Sequence, residues 1–237
     1  MKTSRTFLAL MLAVPAGLLA GGAAANTGQI SQLSGTLSVR KADGSVRILS
    51  QKSTVESGDT INTERDSYAQ IKFSDGAQVT LKPNTSVKLD NFKFAEDKPQ
   101  NDSFLYSLVK GGLRAVTGIV GKRNKDAYRL GTATATIGIR GTTFSADDCA
   151  STREGDCARL DAAVYVGVAD GEVVVRSGAG ELGLTAGQFG LIAPNQRPLF
   201  LSTDPGLQFT PPATFIQSVM AGAAVNSGRN LECVVRR

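Results

Sequence analysis

The chain has 237 residues, a formal net charge of +5 and no histidine. Without histidine, the Ser-His-Asp and Cys-His catalytic arrangements and ordinary catalytic zinc sites are excluded. The basic residues are scattered along the chain, which argues against a nucleic-acid interface. We therefore expect a protein that is not an enzyme and that carries no cofactor and no metal.

The first 25 residues have the order of a secretory signal peptide. Lys2 and Arg5 precede an apolar run at residues 7–14, and Ala23-Ala24-Ala25 supplies a cleavage pattern of small residues. The alternative is an N-terminal membrane anchor, but the apolar run is short for a bilayer span. We expect cleavage after Ala25, a periplasmic or secreted location, and no transmembrane segment in the mature chain.

Apolar and polar residues alternate along most of residues 26–193. Alternating segments at 36–48 surround Asp43-Gly44, and those at 68–73 and 78–81 surround Ser74-Asp75-Gly76. Alternation on both sides of Asp-Gly predicts β-hairpins. Further strands are predicted at 104–109, 112–117, 127–130, 133–146, 160–168, 172–176, 181–184 and 188–192. The fold class is all-β, with many short antiparallel strands in a β-sandwich or a stacked β-roll.

A weak internal repeat relates two of these segments. The run Gly35–Arg40 resembles Gly171–Arg176, and at the same offset Gly44 meets Gly180. Two related halves would give this pattern, and so would two unrelated hairpins of similar length. Both interpretations stay open at this point.

Residues 194–237 form a proline-rich extension that holds five of the eight prolines. After Pro212, apolar residues from Phe215 to Ala224 recur at helical spacing. This predicts a short C-terminal helix whose apolar stripe packs on its own domain.

The three cysteines of an exported chain favour one disulfide and one remaining thiol. Cys149 and Cys157 lie on either side of a polar loop that contains glycine. A hairpin with such a loop brings its ends close enough to bridge. We predict a Cys149–Cys157 disulfide and leave the state of Cys233 open.

One strand carries an arginine and a glycine in its middle, within Ala135–Phe144. Ile137 and Ile139 share one face, but beyond Gly141 the apolar residues change parity to Phe144. Alternation that slips by one residue at a glycine indicates a β-bulge. Arg140 would then lie beside a kink, bonded to free carbonyls or to an acid, and a ligand-binding role is the alternative.

The same strand, with Arg140, Gly141, Thr142 and Phe144, resembles the signature strand of the FecR domain family. Upstream runs resemble the family in the same order, at 58–63, 69–76, 81–85 and 108–114. The similarity extends over roughly residues 35–147, and it could reach 192. It implies an all-β domain related to a periplasmic sensor that relays the state of an outer-membrane transporter. We expect this chain to differ from that sensor by having no cytoplasmic regulatory region and no internal transmembrane helix.

Five carboxylates lie around the cysteine loop: Asp147, Asp148, Glu154, Asp156 and Asp161. A solvated acidic loop is the favoured interpretation, ahead of a calcium site and of glycoside cleavage. We therefore predict a non-enzymatic module of the bacterial cell envelope that binds, scaffolds or senses, with an unknown envelope protein or cell-wall polymer as partner. The alternative, a carbohydrate- or peptidoglycan-binding module, would need exposed aromatic residues along a groove.

Overall fold

The computed structural model describes residues 27–207 and Phe215. The strands are β1 (Thr27–Ser34), β2 (Leu37–Arg40), β3 (Val46–Leu49), β4 (Thr54–Glu56), β5 (Thr60–Thr63), β6 (Tyr68–Phe73), β7 (Gln78–Leu81), β8 (Ser86–Lys93), β9 (Ser103–Val116), β10 (Tyr128–Gly131), β11 (Ala135–Asp148), β12 (Val164–Ser177), β13 (Gly180–Thr185), β14 (Phe189–Ile192) and β15 (Leu199–Leu201). A short helix, α1, covers Ile119–Arg123, and 3-10 turns cover Pro99–Asn101 and Gly155–Arg159.

Three expectations fall on residues that are not described. The signal peptide with its cleavage site at Ala25, the thiol of Cys233, and the C-terminal helix after Phe215 all lie outside the described residues. Phe215 itself is helical and buried. Within the described part of the chain, no helix has the length and apolar character needed to cross a bilayer.

All strands belong to one continuous mixed sheet that is folded into two layers. The front layer runs in the order β3, β2, β5, β8, first half of β9, β10, first half of β11, second half of β12, β13. The back layer runs in the order β4, β1, β6, β7, second half of β9, second half of β11, first half of β12, β14, β15. The all-β prediction is confirmed, with the facing layers of a sandwich made from a single sheet.

Three long strands, β9, β11 and β12, pass from one layer to the other, and each changes direction at a glycine with positive φ. These glycines are Gly111 (φ 85°), Gly141 (φ 66°) and Gly171 (φ 80°). Glycine adopts this conformation without the steric penalty that other residues incur. The sequence predicted separate strands at 104–109 and 112–117, and at 160–168 and 172–176. Each pair is instead one bent strand, because the glycines bend the chain without ending its hydrogen bonding.

Among the described strands, the expectation of antiparallel pairing has one exception. β10 pairs with β9 in parallel, from Tyr128 opposite Phe104 to Gly131 opposite Ser107. Parallel neighbours need a crossover connection, and the segment between Val116 and Tyr128, which contains α1, supplies it. Three basic residues, Lys122, Arg123 and Lys125, therefore lie at the end of this crossover.

A single apolar core fills the space between the layers. Phe73 of β6, in the back layer, packs against Phe104 of β9, in the front layer, with ring centroids 4.5 Å apart. Phe92 of β8 lies 5.0 Å from both rings. Aromatic pairs at such separations add about 0.5–1.5 kcal/mol each beyond the area that they bury.

The internal repeat corresponds to the same topology at both ends of the sheet. Gly35, at φ 83°, links β1 in the back layer to β2 in the front layer, and Gly171 makes the same change within β12. The next strand in each case is the hairpin partner β3 or β13, and the one after it, β4 or β14, returns to the back layer. The two segments thus build equivalent bent units.

The sheet continues past residue 193, where the sequence places the start of the proline-rich extension. β15 pairs with β14 in the back layer. The segment that follows runs to Leu207, which is buried against Tyr165 of β12. We call residues 202–207 the strap.

A candidate binding cleft beside the cysteine loop

The cysteine loop connects β11 to β12 and is closed by a disulfide. Cys149 and Cys157 are bridged, with their Cα atoms 5.1 Å apart. Both cysteines pack with Tyr165 and with Leu207 of the strap in a second, small apolar cluster. The disulfide predicted from the sequence is present, and it holds the loop against the outer face of the back layer.

Beside this loop lies a cleft of about 360 Å³, and a buried ion pair forms part of its lining. Lys82 follows β7, and its Nζ is 2.7 Å from Oδ1 of Asp147 in β11. The two side chains are 11% and 6% exposed. A buried pair of this kind depends on good geometry, because removing both charges from water is costly.

Gly112 makes the pair possible, because it lies between the two partners. Its carbonyl accepts a hydrogen bond from the backbone N–H of Lys82, and it stands opposite Asp147 in the sheet. A Cβ at Gly112 would collide with Oδ1 of Asp147 and would lie 3.0 Å from Cδ of Lys82. Because Gly112 has no side chain, Lys82 and Asp147 can come into contact beside it.

The neighbouring turn is fixed by buried hydroxyl groups. Thr85 Oγ1 donates to the carbonyl of Gly112 and accepts from its N–H, both at 3.0 Å. Thr63 Oγ1 donates to the carbonyl of Lys82 at 2.6 Å. Gly111 is equally constrained, since a Cβ there would lie 2.7 Å from Cα of Thr85. The turn at 81–85 and the run at 108–114 thus form one packed unit.

Lys82 also joins the cysteine loop and the strap to the sheet. Its Nζ is 3.7 Å from Oδ2 of Asp156 and donates to the carbonyl of Leu207 at 3.5 Å. Asn84, two residues later, donates from Nδ2 to Oε2 of Glu154 at 2.9 Å. One short turn therefore contacts the signature strand, the cysteine loop and the strap.

The environment of Asp147 changes its acidity. The pKa of the Asp147 carboxyl is raised to about 6: burial is the main cause, Lys82 opposes it, and the charge of Asp156 adds a smaller rise. Because a carboxyl with such a pKa titrates near neutral pH, the charge of this ion pair depends on pH.

The other acidic residues of the loop have separate roles. Asp148 is buried, and its Oδ1 accepts hydrogen bonds from the backbone N–H groups of Ala150 and Ser151, at 3.0 and 3.1 Å. The backbone carbonyl of Asp161 accepts the Tyr165 hydroxyl at 3.3 Å. These contacts of Asp148 and Asp161 stabilise turns, whereas Asp147, Glu154 and Asp156 line the cleft.

Two kinds of chemistry considered for these carboxylates need arrangements that the cleft lacks. Paired carboxylates in glycosidases flank a substrate bond, whereas the ammonium of Lys82 occupies the space between Asp147 and Asp156. In the part of the chain that the structure describes, no three acidic or cysteine side chains are grouped as metal ligands.

Arg140 and Gly141 lie away from this cleft, at the bend of β11. The register with β12 shifts between Arg140 and Phe144, which is the bulge indicated by the change of parity. Arg140 pairs across the strands with Glu172, at 3.1 Å, and both side chains are about 40% exposed. Thr142 is buried, and its backbone N–H donates to Oγ1 of Thr117 at 2.8 Å. Phe144 enters the core.

The aromatic residues between positions 27 and 207 form no exposed row. Of the described tyrosines and phenylalanines, Phe200 alone is exposed, at 54%, and it lies on the edge strand β15. Of the four tyrosines, Tyr106, Tyr128 and Tyr165 are buried, and Tyr68 is half-buried in the lining of the cleft. Carbohydrate recognition through stacked aromatic rings therefore has no platform among the described residues.

Sequence reasoning missed the Lys82–Asp147 pair. Lys82 stands in the run 81–85, which was recognised only as a family motif, and Asp147 was grouped with the acids of the cysteine loop. The glycine pair at 111–112, inside a strand pattern, was the available signal, because glycine within a strand often marks a close approach of other groups.

The layered sheet, the bent strands and the cleft define an all-β domain held together by glycine-dependent contacts. A family model described as FecR protein matches residues 59–174, which run from the start of β5 into the second half of β12. Residues 59–174 therefore match the FecR family, and the resemblance recognised in the motifs is confirmed over this range. Comparison with curated proteins gives no match.

Two solved structures from Parabacteroides distasonis ATCC 8503, each described as "a putative anti-sigma factor", are similar to part of this chain. The first is 17% identical, with a TM-score of 0.45, and the match covers 62% of this chain and 60% of that one. The second is 18% identical, with a TM-score of 0.46, and covers 69% of this chain and 72% of that one. The chain thus spans about 60% of the length of the first structure.

Proposed function

We propose that this FecR domain acts in the bacterial cell envelope as a non-enzymatic module that binds a protein partner, in sensing or in scaffolding. The observation that carries the proposal is the FecR match at residues 59–174, a family with regulatory members. The leader-like order of residues 1–25 supports a periplasmic or secreted location.

The chemistry of the cleft supports a role without catalysis. Its most buried acid, Asp147, is paired with Lys82, which also lies 3.7 Å from Asp156, and Glu154 accepts a hydrogen bond from Asn84. No histidine is present anywhere in the sequence. A rigid scaffold with surfaces for a partner agrees with these features better than a reaction centre does.

In-cell photo-crosslinking tests the proposal. A photoreactive amino acid is placed at exposed positions on each outer face, such as Thr136 on the front layer and Lys72 on the back layer, and the crosslinked products are identified after cell fractionation. The proposal predicts that the protein fractionates with the envelope and that one face gives a discrete protein adduct. Cytoplasmic fractionation, or no discrete protein adduct from any position, would overturn it.

A further inference from the structure

The outer face of the front layer carries a shallow depression of about 370 Å³ with a basic lining. Its lining has four basic residues and one acidic residue. They are Lys125, Arg129, Arg140, Arg176 and Asp126. Thr136, Gly138 and Val174 complete the lining, and we call this surface the arginine bed.

The centre of the arginine bed is shallow because glycines there leave the sheet backbone without side chains above it. Gly138 of β11 stands opposite Arg129 on one side and opposite Val174 on the other, and Val174 in turn stands opposite Gly183. The nearest atom to a Cβ at Gly138 would be the carbonyl oxygen of Val174, at 3.7 Å, and a Cβ at Gly183 would meet nothing within 4 Å. A partner group can therefore approach the backbone of the sheet here.

Three arginines surround this shallow centre. Arg129 lies level with Gly138, Arg140 lies two residues further along β11, and Arg176 stands opposite Thr136, two residues back. Two residues span about 7 Å along a strand. The three arginine side chains thus start from three sides of one small open area. This arrangement suits a carboxylate, which arginine binds through two parallel hydrogen bonds.

The basic residues of the arginine bed differ in whether an ion pair within the domain already neutralises their charge. Arg140 pairs with Glu172 at 3.1 Å, and Arg176 pairs with Glu181 at 2.7 Å. Lys125 and Arg129 are exposed and form no ion pair among the described residues. The unmatched positive charge of the bed is therefore concentrated on the side of β10.

The arginine bed contains or adjoins both basic and acidic side chains, and this mixture favours some classes of partner over others. A uniformly charged polyanion would gain from Lys125 and Arg129 but would meet Asp126, Glu172 and Glu181. None of the described residues that line the bed is aromatic, so the bed offers sugar rings no aromatic ring for stacking. A protein surface with separate acidic side chains, placed over the unpaired bases, matches the pattern, and such complementarity gives specificity.

We propose that the arginine bed is the docking surface for a protein partner that presents acidic side chains to Arg129 and Lys125. This proposal rests on the proposed function, because it names the face through which the envelope module binds its partner.

The test uses the full chain in cells, with a photoreactive amino acid at Thr136 and charge reversal nearby. The double variant Arg129→Glu, Lys125→Glu breaks no ion pair within the described residues. Lys72→Glu is the matched control, because Lys72 is also an exposed strand residue that forms no ion pair, but it lies on the back layer.

We expect the Thr136 probe to crosslink to a protein segment that contains Asp or Glu. The double variant should reduce that adduct about tenfold or more, whereas Lys72→Glu should leave it within about twofold. Changing the acid of the crosslinked segment to Lys should restore the adduct in the double variant.

An adduct with a glycan or a lipid, no adduct at Thr136, or equal loss in the double variant and the control would overturn the proposal. These outcomes differ from failure of the proposed function. A protein adduct obtained only from probes on the back layer would support the proposed function but would show that the partner does not dock on the arginine bed.

Discussion

Lys82 and Asp147 meet across Gly112, with Nζ and Oδ1 2.7 Å apart, at the point where the signature strand, the cysteine loop and the strap come together. Both side chains are nearly removed from solvent. The pair therefore connects segments that are far apart in the sequence, and its loss should lower the free energy of unfolding of the whole domain.

The first prediction concerns the loss of the lysine charge. Lys82→Met leaves the Asp147 carboxylate buried without its partner, which should lower the free energy of unfolding by about 3–5 kcal/mol at neutral pH. Urea unfolding followed by circular dichroism measures this change, provided that the slope with urea is unaltered.

Lys88→Met is the control for that variant. Lys88 also pairs with an acid, Asp90, at 3.0 Å, but the two side chains are 50% and 31% exposed, so its loss should cost at most about 1 kcal/mol. Equal effects of the two substitutions would contradict the structural importance assigned to the Lys82 pair. The combination Lys82→Met with Asp147→Leu should recover most of the loss, because no buried charge then remains.

The second prediction concerns pH. The pKa of Asp147 is raised by burial to about 6 in the folded protein, whereas an unfolded Asp has a pKa of about 3.9. Between these values the folded chain binds more protons than the unfolded chain. The free energy of unfolding contributed by this group is therefore full below about pH 4 and falls as the pH rises towards 6.

Asp147→Asn removes this dependence and provides the measurement. The unfolding free energy of the natural chain minus that of the variant should decrease from pH 4 to pH 6.5 and then stay constant. Burial also raises the pKa of Asp75, but both proteins contain that group, so its effect cancels in the difference. A difference that grows with pH would mean that Lys82 outweighs burial and keeps the pKa of Asp147 low.

The sequence predicted the layered β architecture because alternation and turn chemistry are local signals. The parity change at Gly141 correctly placed the bulge, and the loop between Cys149 and Cys157 was enough to predict their disulfide. Each of these features depends on residues that are close together in the chain.

The features that the sequence did not yield depend on contacts between distant segments. Lys82 and Asp147 are separated by 65 positions, and no periodic pattern links them. Gly111, Gly141 and Gly171 were taken as strand ends or as a bulge, but whether a glycine ends a strand or bends it depends on the neighbours that continue the hydrogen bonding. The parallel pairing of β10 was missed for the same reason, because its partner is chosen by the crossover through α1.

The third prediction tests the space at Gly112. Gly112→Ala places a methyl group against Oδ1 of Asp147 and Cδ of Lys82, so the pair must separate, and we expect a loss of about 2–4 kcal/mol in unfolding free energy. Gly183→Ala is the control, because a Cβ there would meet no atom within 4 Å, and its effect should stay within about 0.5 kcal/mol.

Coupling to Lys82 makes the Gly112 prediction specific. In the Lys82→Met background the pair is already broken, so the further loss caused by Gly112→Ala should be smaller than in the natural chain. Strict additivity of the two substitutions would show that the methyl group acts through some other contact.

The fourth prediction concerns the disulfide. Replacing both Cys149 and Cys157 by Ser opens a loop of eight-residue separation, which should lower the free energy of unfolding by about 2–3 kcal/mol in the chain-entropy description. Both cysteines are buried against Tyr165 and Leu207, so the strap should also become more accessible. Limited proteolysis followed by mass spectrometry would detect earlier cleavage near residues 202–207. Thiol titration of the natural chain, unfolded without reductant, provides an independent check, since three reactive thiols per chain would contradict the bridge and at most one is expected.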